Sequence, residues 1–152
     1  MPLSTHPKQT EMSEQYTPRQ RHKSRIAALQ ALYEFDVAGH DPELALARVQ
    51  EEKELIQEAA DFALELIRGV RAHISESDAL IQRHAPLWPV SQLPAIDRNI
   101  LRIAIFEMFS HNKVSVNIAI DEAVRLAKMF GSDTSPKFIN GVLGTLSGKI
   151  GH

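Results

Sequence analysis

Apolar residues recur at three- and four-residue spacing along most of the chain, and no stretch alternates strictly as a half-buried strand would. The densest run is 96–109, where Ile96, Ile100, Leu101, Ile103, Ala104, Ile105, Phe106, Met108 and Phe109 fall on nearly every side of a helix. A helix that is apolar almost all round is usually enclosed by other helices, so this segment is predicted to be the central core helix. Pro94 just upstream suits a first turn, where a missing N–H costs nothing. Four charges interrupt the apolar surface. Arg98 and Arg102 share a face, while Asp97 and Glu107 lie elsewhere. Charged groups are almost never fully buried unless paired, which predicts that these line the edge of the packed helix or pair internally. The competing expectation has Asp97, at the exposed N-terminal end, meeting a partner.

Residues 1–17 are polar, without periodicity, and are expected to be a disordered tail; 18–152 then form one helical domain. Thr17-Pro18 reads as a helix start, with Ile26, Leu29, Tyr33 and Val37 on one stripe, Ala28, Leu32 and Phe35 beside it, and Gly39 as the stop. Asp41-Pro42 opens a short helix with Leu44, Leu46 and Val49 inward. Past Glu51 to Glu54, a long helix carries Leu55, Ile56, Ala59, Phe62, Ala63, Leu66, Ile67 and Val70. Gly69 inside it suggests that another backbone approaches. Ser75 or Ser77 is expected to cap a helix through Leu80, Ile81 and His84. The prolines around Trp88 mark an irregular connection, and Trp88 is expected to close over the core as a lid rather than to bind anything. After a turn at His111-Asn112-Lys113, a helix runs from about Ser115 to Phe130, stopped by Gly131. A last helix has Ser135 as N-cap and Pro136 in its first position. The pattern is all-α, with about seven helices.

Composition narrows the chemistry. The 152 residues, 43% hydrophobic and 24% charged, are those of one globular domain with a real core. With no cysteine there is no disulfide framework, thiolate metal site or cysteine nucleophile, which suits a reducing cytoplasm. No apolar run is long enough to cross a membrane, and the N-terminus lacks the apolar segment of a signal peptide. Phosphate-cradling glycine loops, nucleophile elbows and paired-histidine zinc helices are missing, and the seven histidines are scattered. The expectation is therefore a protein that is not an enzyme and needs no metal or organic cofactor.

The net charge of −2 says little, but its distribution is uneven. Arg19, Arg21, His22, Lys23 and Arg25 crowd the start of the first helix, and from Arg19 onward no acid appears before Glu34. Positive charge there is opposed by the helix macrodipole, so it does not serve the helix itself. Such a cluster is a phosphate-binding footprint whose affinity should fall with salt, although a five-residue basic run is as often a solvated end. Tyr33, about two turns on, is either a half-buried core tyrosine or a platform on which an unpaired base could stack.

Four blocks carry a resemblance. Residues 21–25 (RHKSR) with 29–33 (LQALY) resemble the N-terminal arginine-rich motif of the NusB family of bacterial transcription antitermination factors. Residues 97–104 (DRNILRIA) with Glu107 resemble that family's central helix. Residues 118–131 are similar to its penultimate helix and 137–143 (KFINGVL) to its last. The blocks are in order from about Arg19 to Leu146. The resemblance implies two small helical subdomains packed across each other. It also implies binding of single-stranded boxA-type RNA together with NusE, a small-subunit ribosomal protein, within a transcription elongation complex on ribosomal RNA operons. Carried over, Arg19, Arg21, His22, Lys23, Arg25 and Gln30 belong to the RNA-binding segment. Tyr33, Lys137 and Phe138 match positions at the RNA or its shared rim, and Asp97 and Phe130 match the partner surface. Two departures stand out: His22 replaces a frequent arginine, and Ser115-Val116-Asn117 stands where many members have Pro-Tyr-Lys. The alternatives are a protein-binding adaptor or homodimer, and a detached NusB-like domain of a ribosomal-RNA cytosine methyltransferase. The second is disfavoured by the missing cysteine and the lack of room for a cofactor-binding sheet.

Overall fold

The prolines and capping residues punctuate the chain into helices. In the computed structural model, which describes residues 16–110 and 115–148, these are α1 (Pro18–Ala38), α2 (Pro42–Glu52), α3 (Gln57–Ala72), α4 (Ile74–His84), α5 (Ala95–Phe109), α6 (Val116–Phe130) and α7 (Ser135–Ser147). A single 3-10 turn, Val90–Gln92, lies before α5. Among the described residues there is no strand. The tail expected at 1–17, apart from Tyr16 and Thr17, and the turn expected at His111-Asn112-Lys113 lie outside the described residues.

α1 packs on α2 and α3 to form one group, and α4, α6 and α7 gather with α5 into a second. α5 also touches α1 and α3, so it belongs to both cores. That is why its sequence is apolar on every side: Ile100, Leu101, Ile103, Ala104 and Ile105 are all buried. Three of its four charges, Arg98, Arg102 and Glu107, are paired with opposite charges on other helices. The Arg98 guanidinium donates to both Asp36 carboxylate oxygens at 2.6 and 2.9 Å, and Asn99 Nδ2 donates to Asp36 at 2.8 Å. Arg102 makes a second bidentate pair with Asp78 at 2.9 and 2.8 Å. Burial would raise the Asp36 carboxyl, but the Arg98 and Asn99 hydrogen bonds and the Arg98 and Arg102 charges outweigh it and hold it below the ordinary range. Polar bonds therefore fix how α1, α4 and α5 cross.

Several local expectations are corrected. On α1 the buried arc is Ala27, Ala28, Leu29, Ala31 and Leu32, while Tyr33 and Val37 turn outward, because α2, α3 and α5 enclose the helix only over its middle. On α2, Ala45 rather than Leu44 joins Leu46 and Val49 inward, since it lies four residues before Val49 and its small side chain admits close packing. Glu54, at φ 50°, breaks the backbone, so α3 begins at Gln57 and leaves Leu55 and Ile56 in the connection. At Gly69 it is the Phe106 ring, not a backbone, that occupies the space of a Cβ. α4 starts at Ile74 without a side-chain cap, and Ser77 is buried inside it.

Trp88 is no lid. It is 59% exposed beside Leu87, because Gln82 grips the loop by its backbone, donating to the Trp88 carbonyl and accepting from Val90 N–H. Val90 and Leu93 close the core instead. α7 begins at Ser135, after Thr134, with Pro136 second. Among the described residues no helix is long and apolar enough to cross a membrane, and no group of three or more His, Asp or Glu could hold a metal ion.

Candidate nucleic-acid interface

Thr17 starts α1 by accepting Gln20 N–H at 3.3 Å, and Pro18 occupies the first turn. From there each residue rotates about 100° around the helix, so the basic run cannot all face one way. Arg19 and Lys23, four apart, are exposed, and Arg21 lies over the Tyr16 ring with its guanidinium carbon 5.2 Å from the centroid. The same rotation turns His22, Ser24 and Arg25 inward. Ser24 Oγ donates to the Ala59 carbonyl at 2.7 Å, tying α1 to α3.

Arg25 and His22 are therefore not free surface cations, which corrects the expectation that the whole run meets RNA. The Arg25 side chain is 3% exposed and donates twice to Glu107, at 2.8 Å each, with its guanidinium lying over the Phe62 ring. Burial works against its charge, but the Glu107 hydrogen bonds and the Glu107 and Glu122 carboxylates outweigh it, so the guanidinium stays protonated. His22 Nδ1 lies 2.7 Å from Glu122 Oε2, within hydrogen-bonding distance. A basic residue facing inward from α1 thus meets an acid on α5 or α6 and anchors the basic helix start.

Further along α1, Gln30 and Tyr33 are exposed and share a cleft of about 170 Å³ with Ile26, Leu29, Ile96 and Phe130. Tyr33 is 37% and Phe130 44% exposed, so the cleft brings together three residues the sequence nominated. A neighbouring depression of about 350 Å³ joins Lys23 and Gln30 to Lys53, a cation that no motif indicates. On α7, Lys137 is exposed and Phe138 is half-buried against the core; both line a depression of about 470 Å³ with Leu87 and Trp88. Sequence reasoning misses Trp88 because a tryptophan among prolines looks like core filling.

Asp97 does not present its carboxylate to solvent. It is 6% exposed and accepts a 2.8 Å hydrogen bond from Ser135 Oγ, which in turn accepts from Ser132 N–H at 2.9 Å. Burial pushes the Asp97 carboxyl up, and the Ser135 hydrogen bond only partly opposes this. Its place is to hold the turn between α6 and α7, beside Phe130. At the other end of α6, Ser115 caps the helix by accepting Ile118 N–H at 3.1 Å.

Comparison with known proteins agrees with this architecture. Residues 22–147 match the model of the NusB family. The chain is 47% identical over 127 residues to the transcription antitermination protein NusB of Dehalococcoides mccartyi (strain 195), covering 84% of this chain and 89% of that protein. It is 44% identical over 128 residues to the protein of the same name from Roseiflexus castenholzii, covering 83% and 90%. Among solved structures it is similar to T. maritima NusB, with a TM-score of 0.76 and 33% identity over 85% of this chain and 89% of that one. It is also similar to a chain from a crystal structure of the antitermination factors NusB and NusE in complex with double-stranded RNA, with a TM-score of 0.76 and 28% identity over 85% and 96%.

Proposed function

The chain belongs to the NusB family, and on that premise we propose that it is a transcription antitermination factor that binds boxA-type single-stranded RNA together with the ribosomal protein NusE. It acts without catalysis, in the cytoplasm, within the transcription elongation complex, and supports processive transcription of ribosomal RNA operons. The observation that carries the RNA reading is the start of α1. Arg19, Arg21 and Lys23 stand clear of the buried pairs that consume His22 and Arg25, and make no ion pair among the described residues.

Cations on a helix start supply sequence-independent affinity by displacing counterions from phosphates. Sequence preference comes from bases laid on aromatic faces and read at their edges, a role we assign to Tyr33 with Gln30 and to Phe138 with Lys137. Phe130, on the far wall of the Tyr33 cleft, suits the NusE side of the shared rim. His22, Arg25 and Asp97 serve this surface indirectly: the first two seat the basic helix start on α5 and α6, and Asp97 sets the turn that leads into Lys137 and Phe138.

Filter binding with a boxA-like oligoribonucleotide and a scrambled one of equal composition, at two salt concentrations, tests the reading. The chain should prefer the boxA-like RNA, and the Arg19→Ala/Arg21→Ala/Lys23→Ala variant should lose affinity. Its log–log salt slope should shrink by about 2, at about 0.7 per lost phosphate contact on a single strand. Equal affinity for both RNAs, or an unchanged slope in the folded variant, would overturn it.

A further inference from the structure

α6 lies between the two regions placed at the RNA. On one side its Glu122 takes His22 of α1 at 2.7 Å and approaches Arg25 at 3.9 Å. On the other side α6 packs along α7, where Lys137 stands. Asn117, Asp121, Arg125 and Lys128, at four- and three-residue spacing, form an exposed polar stripe along α6, the helix that touches both the start of α1 and α7.

That stripe borders an open groove of about 560 Å³ lined by Arg125, Lys128, Lys137, Asn140 and Asp121, together with the apolar Val124 and Pro136. Arg125 is 60% exposed in its side chain and lies 3.6 Å from Glu122, which places it on the ridge next to the His22–Glu122 contact. Lys128 and Lys137 make no ion pair among the described residues. The lining carries three cations and one acid, and the large exposed apolar side chains of α6, Ile118, Met129 and Phe130, lie outside it. The excess of positive charge favours a phosphodiester backbone over an apolar peptide.

We propose that the groove between α6 and α7 is a phosphate track, with Arg125 and Lys128 carrying the backbone of the RNA strand from the start of α1 to Lys137, against the repulsion of Asp121. This rests on the RNA-binding reading above and adds a contact surface to it. Phosphate contacts position the strand without reading its sequence, so the track adds affinity rather than preference.

The test titrates a boxA-like oligoribonucleotide against the full chain and the variants R125Q, K128Q, D121N and R71Q. Each loss of a phosphate contact should lower the salt slope by about 0.7, which at 0.1 M salt is about fivefold in affinity, equally for boxA-like and scrambled RNA. D121N should bind more tightly than the parent chain. R71Q removes a cation that stacks on Phe35 at the opposite end of α1 and should change nothing. If R125Q and K128Q bind as the parent does while Arg19→Ala/Arg21→Ala/Lys23→Ala still weakens binding, the track is refuted and the RNA-binding reading stands. If they bind RNA normally but lose affinity for NusE, the groove is a protein surface and the track is likewise refuted. A parent chain with no affinity for either RNA overturns both.

Discussion

Replacing Arg25 by alanine separates an anchoring role from an RNA contact. Arg25 and Glu107 are 2% and 1% exposed, and each uses both polar ends on the other at 2.8 Å. Deleting the guanidinium leaves the Glu107 carboxylate buried without its cation. Breaking one partner of such a pair costs about 3–5 kcal/mol, because the remaining charge is neither solvated nor neutralised. In a domain of this size that corresponds to a fall of roughly 10–18 °C in melting temperature. The Arg25→Met/Glu107→Leu double variant removes both charges and should recover most of the loss or exceed the parent. Thermal melts and urea titrations measure the stability, and RNA titration at low temperature measures binding in the folded protein. The double variant should bind RNA like the parent. An Arg25→Ala protein that melts like the parent but binds RNA as weakly as Arg21→Ala would show that Arg25 leaves Glu107 to meet phosphate, and the anchoring argument would fail.

Asp97→Asn should raise the melting temperature near neutral pH. Burial raises the folded-state pKa of Asp97, so its contribution favours folding below the unfolded-state value and is lost as pH rises through the folded one. The asparagine amide keeps an oxygen for Ser135 without the charge, and the gain should vanish near pH 4. A pH-independent difference in melting temperature would contradict this. Gly69→Ala should destabilise by about 1–3 kcal/mol in urea, against the usual helix-propensity gain, because the new methyl collides with the Phe106 ring; Gly69→Ala/Phe106→Leu should recover it, and a stabilised single variant would show that the ring moves freely. Phe138→Ala should cost less than the 3–5 kcal/mol typical of a fully buried phenylalanine, ~3 kcal/mol being its upper end, yet lose about 1–3 kcal/mol of RNA binding, with Tyr33→Ala mixed between the two. A large melting-temperature drop with intact RNA affinity would make Phe138 core rather than platform.

The helices are legible in the sequence because their punctuation is local. Thr17-Pro18, Gly39, Asp41-Pro42 and Gly131 mark ends by chemistry confined to a few residues. The all-round apolar character of α5 likewise announces a central position. Orientation is harder to read, since it depends on what packs where. Arg21 and Arg25 are the same residue type four positions apart, and only the location of Glu107, 82 residues away, decides that Arg25 turns inward. Asp97 is decided in the same way by Ser135, 38 residues on. Trp88 misleads for the opposite reason, because its exposure is set by how Gln82 holds the loop backbone, which leaves no trace in hydrophobicity. The groove between α6 and α7 is invisible in sequence because its cations come from two helices that only packing brings side by side.

The sharing of α5 between both helical groups also sets an order of events on the ribosome. α1, α2 and α3 are made first, but Arg25 and Asp36 on α1 lack their charged and hydrogen-bonding partners until Glu107, Arg98 and Asn99 have been added, 62 to 82 residues later. At typical rates of chain growth the longer of these waits lasts roughly 4–16 s. For that interval the nascent chain carries a basic segment whose arginines are all still uncommitted, including the one that the finished fold withdraws from solvent. Completion of α5 supplies the Glu107 carboxylate that withdraws Arg25 from any passing phosphate.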